Sequence, residues 1–184
     1  MRAFIAVELP DQTKQELVDM AAQLRRSGVR ASWVRPERMH LTLRFLGEIG
    51  EDQAEAAGEF LASAYAGRDV FECRLHGAGA FPNARRPNVL WAGIAPLEGG
   101  LAETQAVAEE AAQRIGLKAE RRSFHPHLTL GRIRRPEKAG DVSRALRPLA
   151  EFCGAHFLVD GASLFSSTLT PDGPIYERIR ECRF

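Results

Sequence analysis

The chain has 184 residues, of which 45% are hydrophobic and 27% charged, and its formal net charge is +1 at pH 7. That length makes one ordinary domain or two small lobes around a shared core, and the composition is that of a soluble globular protein. No apolar run reaches the roughly 18–20 residues of a membrane span, and a near-neutral charge lacks the global basic signature of a duplex-DNA binder.

Residues 2–9 alternate and read as a strand, with no signal-peptide cleavage site behind them; the expected location is therefore the cytoplasm. A helix is expected from Asp11 to about Arg26, with Asp11 as N-cap and Gly28 as stop. After residues 30–34 and a turn at Pro36–Glu37, Met39–Leu46 reads as a strand. The Ala- and Glu-rich segment 51–66 reads as a helix closed by Gly67. Two strands, 70–81 and 88–95, flank a hairpin connection with two prolines and two arginines. A helix over 98–115 ends at Gly116. Then come a strand at 124–133, a short helix around 142–150, and strands at 152–165 and 175–180. Strands and helices mix without strict βαβ alternation, so the fold class is α+β with largely antiparallel sheets. No linker is rich enough to separate independent domains, which predicts one domain over residues 1–184.

Cys73, Cys153 and Cys182 are an odd, widely spaced set, unlike a disulfide framework or a paired zinc motif. Only Lys14, Lys118 and Lys138 are lysines, so almost every cation is arginine. A GC-rich coding sequence gives that bias without function, and only individually placed arginines carry weight.

The informative feature is internal. His40-Leu41-Thr42-Leu43 recurs as His127-Leu128-Thr129-Leu130, 87 residues on. Given five histidines and six threonines, two chance His-x-Thr matches have a probability of about 1%. The spacing, near half the chain, suggests two related halves. In a strand, positions i and i+2 share a face. Each copy therefore offers an imidazole and a hydroxyl on one face and leucines on the other. Two such faces across a cleft suit the opening of a cyclic phosphodiester. One neutral histidine activates water and one protonated histidine serves the leaving oxygen. Threonine hydroxyls hydrogen-bond the phosphate, an arginine balances its charge, and no metal is required. A three-histidine zinc site from His40, His125 and His127 is the alternative for the same residues. His76 and His156 carry no pattern and read as structural.

The stretches His40-Leu-Thr-Leu-Arg-Phe-Leu-Gly and Phe124-His-Pro-His127-Leu-Thr-Leu-Gly-Arg132 resemble the paired signatures of the two-histidine phosphoesterases, specifically the LigT-like RNA 2′,3′-cyclic phosphodiesterases, also called RNA 2′-5′ ligases. The opening Arg2-Ala-Phe-Ile-Ala-Val-Glu-Leu-Pro, the central Val89-Leu-Trp-Ala-Gly, and the closing Leu164-Phe-Ser-Ser and Gly173-Pro-Ile-Tyr176 are similar too. The resemblance implies a bilobal α+β fold with a cleft between two antiparallel sheets. It implies catalytic His40 and His127, with His127 as base and His40 as acid, and phosphate contacts from Thr42 and Thr129. It implies expulsion of the 3′ oxygen to leave a 2′-phosphate on RNA ends, and a weak reverse joining through a 2′-5′ bond. The expected partner is RNA with a 2′,3′-cyclic phosphate terminus, bound by a monomer with no membrane contact and no cofactor. An RNA-end ligase or binder with incidental hydrolysis is the competing reading.

By the same resemblance Arg132 is the phosphate arginine. Strict alternation would turn it away from His127, unless a bulge at Gly131 re-aims it. Alternation instead puts Arg44 on the His40 face, making it the second candidate, and sends Phe45 to the core. Phe124 and Trp33 are the aromatics considered for stacking on a terminal base.

Overall fold

A computed structural model describes every residue except Glu98 and Asp172. β1 (Arg2–Glu8) alternates as expected: Ala3, Ile5 and Val7 enter the main core, while Phe4 and Ala6 face a smaller cluster with Phe165 and Tyr176. α1 (Asp11–Arg26) buries Leu17, Met20, Ala21 and Leu24, the spacing of one helical stripe. Its N-cap is Pro10, not Asp11; Asp11 is the first helical residue, where its carboxylate complements the helix dipole. Gly28 ends the segment with φ at +87°, a left-handed conformation that glycine adopts without steric cost. β2 (Ser32–Trp33) is short, and β3 (His40–Glu48) carries the first His-x-Thr copy. α2 (Glu51–Tyr65), β4 (Phe71–Phe81) and β5 (Val89–Pro96) follow. α3 (Leu101–Arg114) precedes β6 (His127–Arg132), which carries the second copy. α4 (Val142–Leu146), β7 (Cys153–Val159), β8 (Gly161–Thr170) and β9 (Gly173–Arg183) complete the chain.

Among the described residues the strands form two sheets, ordered β3-β1-β8-β9 and β2-β6-β5-β4-β7. Every pairing is antiparallel. The fold is α+β, with α2 and α3 packed on the first sheet and α1 on the second. The leucines of both motifs, Leu41, Leu43, Leu128 and Leu130, are buried in one continuous core. Each buried leucine contributes roughly 1.5–3 kcal/mol, so the motif strands are anchored by the faces that carry no chemistry. β3 is an edge of its sheet, and only the two-residue β2 lies outside β6. β3 and β6 contact each other across the seam between the sheets.

Several boundaries differ from expectation: the strand expected from 124 starts only at His127, and the one expected at 175–180 extends over Gly173–Arg183. The strand expected over 152–165 is two strands in different sheets, divided at Asp160. At the crossing, a Cβ on Gly161 would collide with the Cys182 carbonyl, so only glycine permits that approach. The expected helix start at Glu98 lies outside the described residues, and α3 is observed from Leu101. The helix expected around 142–150 is α4 continued by a 3-10 turn over Arg147–Leu149, where Pro148 has no N–H to extend α-helical bonding. Among the described residues no helix is long and apolar enough to cross a membrane.

Candidate active site

The leucine–polar alternation of β3 leaves His40 and Thr42 half-buried on the face away from Leu41 and Leu43. On β6, His127 and Thr129 stand opposite Leu128 and Leu130 in the same way. Thr42 pairs across the ladder with Ala6, and Thr129 with Trp91. Both motif faces therefore point away from the main core.

The two imidazoles are held alike. His127 Nδ1 lies 2.7 Å from the His125 carbonyl. A carbonyl only accepts, so Nδ1 carries the proton and Nε2 is left for chemistry. His40 bonds the backbone of Arg38, again the residue two before it. The surroundings differ. His40 stacks on Phe4 at 4.6 Å and meets the edge of Tyr176 at 5.1 Å. Burial among these rings lowers its pKa to about 4, with the Arg38 hydrogen bond opposing in part. His127 meets Phe81 edge-on at 5.0 Å.

Register shifts in both motif strands change the faces on which the following residues stand. In β6 the ladder to β5 slips by one residue between the Leu90–Gly131 and Trp91–Thr129 pairs. Arg132, exposed at the strand end, thereby returns to the His127 face despite its odd spacing. Gly131 also lets β2 approach: a Cβ there would press on Trp33, Ala31 and the Ser32 carbonyl. Tyr176 registers the result: burial raises its pKa, while the charges of Arg132, Arg38 and Arg2 act to lower it. Arg132 of one sheet therefore acts electrostatically on the ring that touches His40 of the other.

In β3 the ladder to β1 slips between the Ile5–Arg44 and Ala6–Thr42 pairs. This reverses the expectation for both following residues. Arg44 is not brought to the histidines. Its guanidinium is 2.7 Å from a Glu109 carboxylate oxygen on α3 and donates to the Lys118 carbonyl at 2.7 Å. Phe45 is not in the core; it is 59% exposed and lies 6.2 Å from Phe4, on the His40 side.

A recess of about 220 Å³ adjoins His127, lined by Phe81, Trp91, Gly93, Ile94, His125 and Pro126. Two nearby glycines permit close approach: a Cβ on Gly79 would strike the Trp91 indole, and one on Gly93 the His76 carbonyl. Phe81 and Trp91 are aromatics that the sequence alone does not single out. Their only signal is the tryptophan that precedes two small residues in Val89-Leu-Trp-Ala-Gly. The aromatics considered for stacking are elsewhere: Trp33 lies under Arg25 and packs on the main core, as does Phe124. His125 lines the recess and offers its carbonyl to His127. Among the described residues no three His, Cys, Asp or Glu side chains converge as a ligand set, so the arrangement of His40, His125 and His127 around one ion is not formed.

The family model described as LigT like Phosphoesterase matches residues 7–91 and 94–176, one His-x-Thr copy in each stretch. A Thermotoga maritima protein named RNA 2′,3′-cyclic phosphodiesterase is 32% identical over 185 residues, covering 100% of this chain and 96% of its own. One of the same name from Aeropyrum pernix is 36% identical, covering 91% of this chain and 96% of its own. A crystal structure of a Thermus thermophilus protein superposes with a TM-score of 0.83 at 27% identity, covering 100% of this chain and 97% of that one. Escherichia coli LigT complexed with 3′-AMP shares the fold, with a TM-score of 0.76 at 22% identity over 100% and 97% of the two chains. With both signature strands facing one seam and the family model matched in both halves, the chain belongs to the LigT-like phosphoesterase family.

Proposed function

We propose that this protein is an RNA 2′,3′-cyclic phosphodiesterase that converts terminal cyclic phosphates to 2′-phosphates by acid–base catalysis between His40 and His127, without a metal. One observation carries the reading. Two His-x-Thr strands from two sheets meet at a seam, each imidazole fixed by the backbone two residues upstream. The names of the relatives support the substrate class.

The cyclic phosphate sits between the two histidines. Thr42 and Thr129 donate hydroxyl hydrogen bonds to its non-bridging oxygens, and Arg132 offsets the charge that develops on them. His127, its Nε2 unprotonated, takes a proton from water as the water oxygen bonds to phosphorus. The bond from phosphorus to the 3′ oxygen breaks, and His40 protonates that oxygen, leaving a 2′-phosphate. With a 5′-hydroxyl in place of water, the same steps join the two ends: the 5′ oxygen bonds to phosphorus, its proton passes to His127, and the 3′ oxygen leaves with a proton from His40, giving a 2′-5′ bond. The recess beside His127 accepts the terminal base between aromatic walls. The protein acts as a monomeric, cytoplasmic, single bilobal domain over residues 1–184, with no cofactor.

The test is an oligoribonucleotide ending in 2′,3′-cyclic phosphate, with the product ends mapped enzymatically. The expected product is exclusively the 2′-phosphate. A 3′-phosphate product, or none, contradicts the reading.

A further inference from the structure

The two motif strands bulge at equivalent places, so the fifth residue after each histidine returns to the histidine's face. In the second half that residue is Arg132 and in the first it is Phe45. The site is therefore symmetric in its histidines and threonines and asymmetric at this one position: a guanidinium on one flank, an exposed phenyl ring on the other. A phenyl ring at this place is costly to leave in water. Phe45 is 59% exposed, while its neighbour Phe4 is buried among His40, Phe165 and Tyr176. Only one ring, Phe4, separates the exposed face from the His40 imidazole.

We infer that Phe45 is a stacking platform for the base of the penultimate nucleotide, so that the protein reads a dinucleotide end rather than a single cyclic nucleotide. The inference rests on the phosphodiesterase reading above and adds a specificity residue to it. The recess walled by Phe81 and Trp91 lies on the His127 side and takes the terminal base. Phe45 lies exposed on the His40 side; the penultimate nucleotide, joined through the 5′ oxygen of the terminal ribose, leaves the seam on the side opposite the terminal base and meets that ring. Stacking on a flat ring tolerates every base, which suits the trimming of ends of mixed sequence. A net charge of +1 offers no long electrostatic track, so recognition beyond the phosphate falls to such local contacts.

The test is calorimetric binding of a diribonucleotide ending in 2′-phosphate against the matching 2′-mononucleotide, in wild type, Phe45→Ala, Phe45→Leu and Phe45→Trp. Wild type is expected to prefer the dinucleotide roughly 10- to 100-fold. Phe45→Ala and Phe45→Leu lose most of that preference, and Phe45→Trp keeps it. An unchanged preference in Phe45→Ala, or full retention in Phe45→Leu, overturns the inference: the first denies Phe45 a role and the second reduces it to apolar bulk. Binding needs no turnover. A chain that shows the preference yet hydrolyses no cyclic phosphate contradicts the phosphodiesterase reading alone.

Discussion

His40 and His127 share a motif and a backbone tether, and their surroundings separate them. The rings around His40 disfavour the imidazolium and hold its pKa at about 4. In the free protein at neutral pH it is therefore unprotonated. The sign for stability follows from the unfolded value of about 6.5. Above that pH both states are neutral. As pH falls from 6.5 towards 4, the unfolded chain gains a proton that the folded one refuses, and stability is lost by up to about 3 kcal/mol. An acid role for His40 demands that substrate supply the missing stabilisation, since a phosphate anion beside the ring favours the charged form. Histidine NMR titration checks this with inorganic phosphate. The His40 resonance is expected to titrate near 4 without phosphate and clearly higher with it. A resonance that does not move would leave His40 neutral in the complex and exchange the roles, making it the base and His127 the acid.

At the scale of the element, the two bulges determine which side chains the motif strands deliver. Arg132 and Arg44 are both arginines near a motif threonine, and only the local register tells them apart. Arg132→Ala is expected to lower kcat/KM roughly a hundredfold with little effect on melting, as for the loss of one group that stabilises transition-state charge. Arg44→Ala removes the partner of the partly buried Glu109 carboxylate. It is expected to cost about 1–3 kcal/mol of stability and leave kcat/KM near wild type. The opposite pattern would show that the bulges do not aim these residues as the ladders indicate. The same elements show how far the sequence can be read. The strands, their buried leucines and the two histidine–threonine pairs follow from period-2 alternation. Alternation misplaces Phe45 and Arg44 because a one-residue slip inverts it and leaves no mark in the pattern. For Arg132 a glycine at the slip hints at a bulge. The division of 152–165 between two sheets is hidden because its alternation runs through Asp160. The Phe81–Trp91 recess is hidden because its walls lie on neighbouring strands and meet only through the ladder of β4 and β5.

The whole molecule places one histidine on each of two sheets joined by a continuous core. The proposed catalysis by the pair thus depends on how the two sheets sit, because neither sheet contains both histidines. The measurement that tests this most directly is hydrolysis of an oligoribonucleotide with a 2′,3′-cyclic phosphate end in EDTA, by wild type, His40→Ala and His127→Ala. Turnover by wild type that falls by several orders of magnitude in each variant, with folding retained, is the predicted result. Wild-type activity that vanishes in EDTA and returns with zinc, or one histidine variant that keeps full activity, would contradict the account.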